Sequence, residues 1–170
     1  MPQTVFGQTD ALALAVVNWL TDNAVTFSLP IAAERRFALV TDLALIPDNT
    51  QPVSVDVFPD IEDTERQGMH TFTSSYAVHI FIQQRTDGTD EEAACALLAL
   101  LRGQIIESLK NARLSIPSAV HPLAAGSLVM THAKSADRAP GNPAGLYSLA
   151  RLLQAHVFES DTIVIFKPAA

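Results

Sequence analysis

Residues 53–108 read VSVDVFPDIEDTERQGMHTFTSSYAVHIFIQQRTDGTDEEAACALLALLRGQIIES and contain most of the information about the fold. Valine alternates with other residues over 53–58, between two flanking prolines, so we predict a strand whose limits the prolines set. Residues 76–83 alternate over a longer stretch and predict a strand at the centre of a sheet. The charged segment between them, 59–68, predicts a solvent-facing loop.

A long helix follows these two strands. A turn at Asp87 and Gly88 precedes Asp90, which we predict to be the N-cap of a helix over 91–110. The apolar residues of this segment recur at the i, i+3, i+4, i+7 spacing of an amphipathic helix. They are Ala94, Leu97, Leu98, Leu101, Ile105 and Leu109. The pattern indicates a helix that lies against one face of the sheet.

The N-terminal part of the chain predicts one helix and one strand. Helical spacing over 10–21, with Asp10 as the N-cap, predicts a first helix. Residues 25–29, VTFSL, alternate with period two and predict a strand that ends at a proline. The segment 34–45 fits neither period, although 38–40 is compatible with a short strand.

The C-terminal part is less regular. Residues 114–145 are rich in alanine, proline and glycine and predict an irregular segment, within which 127–131 is compatible with a strand. Residues 146–158 fit a helix or a strand. The last apolar run, 162–166, predicts a strand paired inside the sheet. The whole pattern predicts an α+β fold with a mixed, mainly antiparallel sheet, flanked by an N-terminal helix and the long central helix.

Size and cysteine content indicate one domain that needs no covalent cross-links. With 170 residues, 48% of them hydrophobic, residues 1–170 are long enough to form a single buried core. The lone Cys95 lies in an apolar helical run, where a thiol usually packs as a small hydrophobic group and is seldom reactive. Residues 1–11 lack a basic segment, and no apolar stretch reaches membrane-spanning length, so we expect no membrane association and assembly in the cytoplasm.

The charge balance argues against a nucleic-acid-binding protein. Eleven Lys and Arg residues stand against 18 Asp and Glu, which gives a net charge of −7. Binding to a phosphate backbone depends on cationic side chains that displace counterions, and this chain has few of them. An acidic surface is compatible with DNA passing close by without specific binding.

The sequence contains no motif typical of catalysis, cofactor binding or metal binding, so we predict no enzyme activity, no cofactor and no metal. Among five scattered histidines, His79 stands out because it shares a face of the central strand with Ala77 and Phe81. It is the one candidate for a ligand-binding or enzymatic site, although a hydrogen-bonded structural histidine is the more common case.

The acidic run within 59–68 allows three interpretations. It is most simply a solvated loop. A divalent-metal cluster is the second interpretation, although the run lacks the glycine and the spacing of a calcium loop. It is also suited to a contact with another subunit, in which carboxylates face the basic pair Arg35 and Arg36, or Arg66 and Arg85, of a neighbour. The candidate interface residues are Arg35, Arg36, Asp60, Glu62, Asp63, Glu65 and Arg66.

The order of these elements resembles the tail terminator, or tail completion, proteins of long-tailed bacteriophages. The resemblance covers residues 10–167 and rests on shared elements. These are an N-terminal helix, Phe27, the segment ERRF at 34–37, the strand over 53–59 followed by acidic residues and Arg66, the strand over 76–83, the helix over 91–109 and the closing HVFESDTIVIFK. The irregular segment 116–145 is longer than the family pattern.

The resemblance implies a structural virion protein that forms a ring, in the family a hexamer, and performs no enzymatic step. Such a ring caps the tail tube protein, ends its polymerisation and joins the tail to a head-side neck or connector protein, with DNA passing through. It implies an interface role for Glu62, Glu65 and Arg66. Two alternatives remain: another neck component, such as a head completion or stopper protein, and a small ligand-binding or enzymatic domain that uses His79.

Overall fold

The computed structural model describes Val5 and residues 7–40, 42–86, 90–116, 127–138 and 156–169, although not the side chains of Leu43 and Arg138. Within these residues two α-helices accompany one sheet of six strands. In chain order the elements are α1 (Gln8–Asp22), β1 (Ile31–Arg35), β2 (Val53–Arg66), β3 (Phe72–Arg85), α2 (Glu91–Lys110), β4 (Leu114–Ser115), β5 (Ser127–Arg138) and β6 (Val157–Pro168). Short 3₁₀ turns lie at Ala24–Thr26 and Leu43–Leu45.

The sheet is mixed and mainly antiparallel, as the sequence predicted. Its strands lie in the order β1-β2-β3-β6-β5-β4. Only β1 and β2 run parallel, and the other four neighbouring pairs are antiparallel. β6 lies between β3 and β5, so the prediction that 162–166 pairs inside the sheet is confirmed.

Both helices pack on the same face of the sheet. Alternate residues of the central strands point to this face, and the helices bury their apolar stripes against them. The shared core includes Leu12, Val16, Leu20, Val55, Val78, Ile80, Leu98, Leu101, Ile105, Val164 and Phe166, all at most 1% exposed. Neither described helix is long and apolar enough to cross a membrane.

The opposite face of the sheet is more polar. Asp56 lies across from Phe81 on neighbouring strands, and Phe81 in turn lies across from Asp161. His79 is two residues from Phe81 along β3 and therefore points to the same side. This face holds several acidic side chains, of which Asp56 and Glu159 are buried, whereas the helical face is mostly apolar.

Two predictions for the N-terminal part were wrong. Residues 25–29 form a 3₁₀ turn and bends, and the strand begins only after Pro30. Their alternation has another cause, because Phe27 and Leu29 pack against the core from a loop. Asp10 is not the N-cap of α1, which begins after Gly7; it lies in the first turn and is buried.

The prediction of a loop over 59–68 was also wrong for most of that segment. β2 continues through Pro59 to Arg66 and forms a hairpin with β3. Pro59 is tolerated because β1 has ended at the level of Val57, so β2 is by then an edge strand, and a bulge follows between Pro59 and Glu62.

The irregular segment predicted for 114–145 contains two strands. β4 occupies its first two residues, and β5 extends the expected strand at 127–131 as far as Arg138. The turn at 87–88 and most of 146–158 lie outside the described residues. The prediction of a helix over 91–110 is confirmed, with Asp90 at the N-cap position but without a side-chain cap.

Candidate functional site

The hairpin of β2 and β3 extends beyond the rest of the sheet. β1 pairs with β2 only as far as Val57, and β6 pairs with β3 only from Tyr76 onward. Residues 62–66 of β2 therefore pair with 72–76 of β3, and most of this stretch has no further described strand beside it. The hairpin closes where the Gln67 amide donates to the Thr71 carbonyl over 2.9 Å. We call residues 61–75 the hairpin arm.

The hairpin arm exposes both acidic and large apolar side chains. Every residue from 61 to 72 is exposed. The apolar groups are Ile61 at 61%, Met69 at 81% and Phe72 at 57% exposure, and the Arg66 guanidinium lies 5.2 Å from the Phe72 ring centre. A projecting element that combines such groups is typical of a surface that contacts another protein. Three of the predicted acidic interface residues lie on it: Glu62, Asp63 and Glu65.

Next to the hairpin arm, one histidine joins three strands on the polar face. His79 of β3 contacts Asp161 of β6 through Nδ1 at 2.9 Å and Asp60 of β2 through Nε2 at 2.9 Å. The pKa of His79 is raised, chiefly by the hydrogen bond with Asp161 and further by the charges of Asp161 and Asp60, against the opposing effect of burial. The pair of carboxylates therefore stabilises the imidazolium form.

The geometry around His79 is that of a structural cross-link. Both ring nitrogens are engaged by carboxylates, so a substrate would have to displace one of them before the imidazole could transfer a proton. His79 lines neither the cavity beside Leu29 and Leu97 nor the cavity beside Trp19 and Gln104. Sequence reasoning singled out His79 but missed its partners, because Asp161 is distant in sequence and its register against β3 was unknown.

The predicted basic pair Arg35 and Arg36 is bound within its own chain. Arg35 Nη1 donates to both carboxylate oxygens of Asp10, at 3.0 and 2.9 Å, and ties α1 to β1. Arg36 Nε donates to Asp56 over 2.8 Å, and Arg36 Nη2 lies 2.8 Å from Glu34. Burial raises the pKa of Asp56, and the hydrogen bond from Arg36 opposes that rise.

A cavity of about 410 Å³ lies where the beginning of α2 meets the beginnings of β1 and β2. Its wall includes Leu29, Pro30, Leu97 and Gln84, together with Arg85. The Arg85 guanidinium donates to the Ile46 carbonyl over 2.8 Å. The described residues of the wall are a mixture of apolar and polar side chains without histidine or cysteine, and His79 is not among them.

Metal binding by the acidic run was one interpretation of the sequence. Among the described residues, no group of three or more His, Cys, Asp and Glu side chains is placed to hold a metal ion. Instead, Asp60 contacts His79, while Glu62, Asp63 and Glu65 follow one another along the exposed end of β2.

Comparison with known proteins gives a likeness in fold to a solved structure. No family model matches the chain, and no curated protein matches its sequence. Among solved structures, the fold is similar to that of a chain in the "Virion of native gene transfer agent (GTA) particle". The likeness has a TM-score of 0.50 at 14% identity and covers 97% of this chain and 99% of the other. Nearly the whole of both chains therefore shares one fold.

Proposed function

We propose that this chain is a structural protein of a phage-like virion. The observation that carries the proposal is the likeness in fold to a chain of the gene transfer agent virion, which extends over nearly the full length of both chains. Local likeness of a common motif would leave part of one chain unmatched. The order of elements that resembles tail terminator proteins supports the same role.

Within the virion we propose the position of a tail terminator. Copies of the chain form a ring, in our proposal a hexamer, which caps the tail tube protein, ends its polymerisation and contacts a head-side neck or connector protein. The hairpin arm supports this role because it offers exposed apolar and acidic side chains for contact with a neighbour. The net charge of −7 suits a channel through which DNA passes without being bound.

The first experiment tests ring formation and tube capping together. The purified protein is measured by size-exclusion chromatography with light scattering and imaged by negative-stain electron microscopy. It is then added to polymerising tail tube protein from the same phage or prophage. We expect closed rings that stop tube growth and appear at one tube end. A protein that remains monomeric at high concentration and with tube protein present contradicts the proposal.

Another neck position is the second candidate, because the likeness to a virion chain does not distinguish one place in the virion from another. A head completion or stopper protein would also form rings but would bind the connector and leave tube length unchanged. The tube assay therefore separates the two. An enzymatic role for His79 has less support, because carboxylates engage both of its ring nitrogens.

A further inference from the structure

Two stretches of strand edge in this sheet have no described strand beside them. Among the described strands, β1 lies beside β2 only over Val53–Val57, so residues 58–66 of β2 have no described strand on that side. Likewise β4 lies beside β5 only at Ser127 and Leu128, so residues 129–138 have no described strand on that side. Most of 61–66 and of 131–137 is exposed. Uncovered backbone of this kind is a template for pairing with another chain.

The two edges are matched in length and direction. They comprise nine and ten residues, on opposite sides of the sheet. Three successive antiparallel pairings separate β2 from β5, so the two strands run in opposite directions. If a second copy is placed beside the first by rotation about an axis roughly along the strands, its β2 lies antiparallel to the first copy's β5. The more stable kind of pairing is therefore available.

The uncovered edges are also staggered along the strands. Ser135, near the middle of the β5 edge, and Ile80 of β3 both pair with Thr162. Glu62, near the middle of the β2 edge, pairs with Tyr76, four residues away from Ile80 along β3. Bringing the two edges together therefore displaces neighbouring copies by about 13 Å along the strands. A displacement of this kind is required when a sheet closes on itself.

In one register, two acidic side chains of the β2 edge lie opposite a basic and an ionisable side chain of the β5 edge. When Ser135 is placed opposite Glu62, antiparallel pairing brings Lys134 opposite Asp63 and His132 opposite Glu65. These four charged or ionisable side chains lie on the same face of the sheet as His79. Lys134 lies on that face because Lys134 and His79 both pair with Ile163 of β6. Asp63 lies on it because Asp63 pairs with Ser75, which is four residues from His79 along β3. Neither bulge falls within this stretch.

We propose that the β2 edge of one copy pairs with the β5 edge of the next, with Asp63 facing Lys134 and Glu65 facing His132. The contact rests on the proposed function and specifies how the ring is joined. It is head-to-tail, since two different surfaces meet, and repeated head-to-tail contacts close into a ring when the rotation allows. The basic partner of the acidic hairpin arm is then β5, since Arg35 and Arg36 already pair with Asp10 and Asp56 in their own chain.

Disulfide trapping tests the register directly. In a Cys95→Ser background, Asp63→Cys and Lys134→Cys are combined in one chain and oxidised gently. Residues directly opposite on antiparallel strands have the Cα separation that a disulfide requires. We expect a ladder of covalent oligomers on a non-reducing gel. The matched control is Glu62→Cys with Lys134→Cys, whose side chains would lie on opposite faces, and we expect at least about tenfold less product from it.

Mixing two singly substituted proteins tests whether the contact is head-to-tail. Asp63→Cys protein and Lys134→Cys protein, each in the Cys95→Ser background, are expected to give a covalent dimer only when they are mixed. Charge reversal provides a second measurement. Lys134→Glu is expected to weaken association at least about tenfold, and adding Asp63→Lys is expected to restore it, while circular dichroism shows that each variant is folded.

The outcomes separate this contact from the proposed function. If rings form and cap tubes but the Asp63 and Lys134 pair gives no more product than the control pair, the contact is wrong and the proposed function stands. If the protein remains monomeric even with tube protein present, the proposed function is wrong and the contact with it. A ladder from the designed pair, together with rescue by the double charge reversal, supports both.

Discussion

Asp10 and Arg35 connect the first helix to the first strand through a buried ion pair. Their side chains are 4% and 11% exposed, and one guanidinium nitrogen reaches both carboxylate oxygens. A carboxylate in such a position depends on its partner, because burial without a counter-charge is costly. The pair therefore ties the beginning of α1 to the end of β1.

We expect Arg35→Met to destabilise the protein by about 3 kcal/mol, because Asp10 would keep its burial and lose the guanidinium. Adding Asp10→Leu should recover most of the loss, since the double variant replaces the ion pair with apolar groups. Urea unfolding followed by circular dichroism measures both variants. If the single variant is as stable as the parent, the side chains have another role, such as contact with a neighbour.

The cluster of His79, Asp60 and Asp161 makes stability depend on pH. The pKa of His79 is raised in the folded protein, so folding favours the charged imidazole. The stabilisation is complete below the unfolded pKa of about 6.5 and is lost as the pH rises through the higher folded value. We expect the parent to exceed His79→Gln in unfolding free energy by about 1 kcal/mol near pH 6 and by progressively less at higher pH.

Urea unfolding across the range from about pH 6 to pH 9 measures this difference. His70→Gln is the matched control, because His70 is exposed at the turn of the hairpin arm and makes no hydrogen bond or ion pair with another described residue. The difference in unfolding free energy between His70→Gln and the parent should be the same at every pH. If the difference in unfolding free energy between His79→Gln and the parent is also the same at every pH, the imidazolium form of His79 does not stabilise the fold.

At the scale of single residues, the sequence identified His79 and the acidic run as unusual but did not show which side chains contact each other. His79 and Asp161 are 82 residues apart, and only the register of β6 against β3 brings them together. The same limit applies to Asp10, whose chemistry suits an N-cap. Its actual partner, Arg35, is reached through tertiary packing, which local patterns do not encode.

At the scale of elements, the hairpin arm shows how a strand can be mistaken for a loop. A strand with one buried face alternates between apolar and polar residues, and that alternation predicted 53–58 and 76–83 correctly. Residues 61–66 are exposed on both faces and carry polar side chains at nearly every position. Periodicity therefore disappears although pairing with β3 continues. Polarity reports exposure and does not exclude a strand.

Shortening the hairpin arm should separate folding from assembly. We expect replacement of residues 64–74 by Asn-Gly to leave the thermal unfolding temperature nearly unchanged, because none of these residues is buried and the new turn suits a two-residue hairpin. Ring formation should be lost. Circular dichroism and light scattering make the two measurements. Rings of normal size in the shortened protein would exclude residues 64–74 from the interface.

At the scale of the whole molecule, the charge balance leads to a prediction about DNA. A net charge of −7 opposes binding to a phosphate backbone, because such binding depends on an excess of cationic side chains. We expect no saturable binding to a fluorescent 30-base-pair duplex at about 50 mM salt and protein concentrations up to about 10 µM, measured by anisotropy. Binding that weakens as salt is added would contradict a passive channel.

The position of β6 has a consequence for the order of folding. All of the other described strands precede β6 in the chain, yet it lies between β3 and β5. Before β6 is synthesised, the β4–β5 segment lacks the strand through which it joins the rest of the described sheet. We therefore expect a chain from which β6 has not yet emerged to lack the β5 edge of the proposed contact, so that β6 must be in place before copies can associate through it.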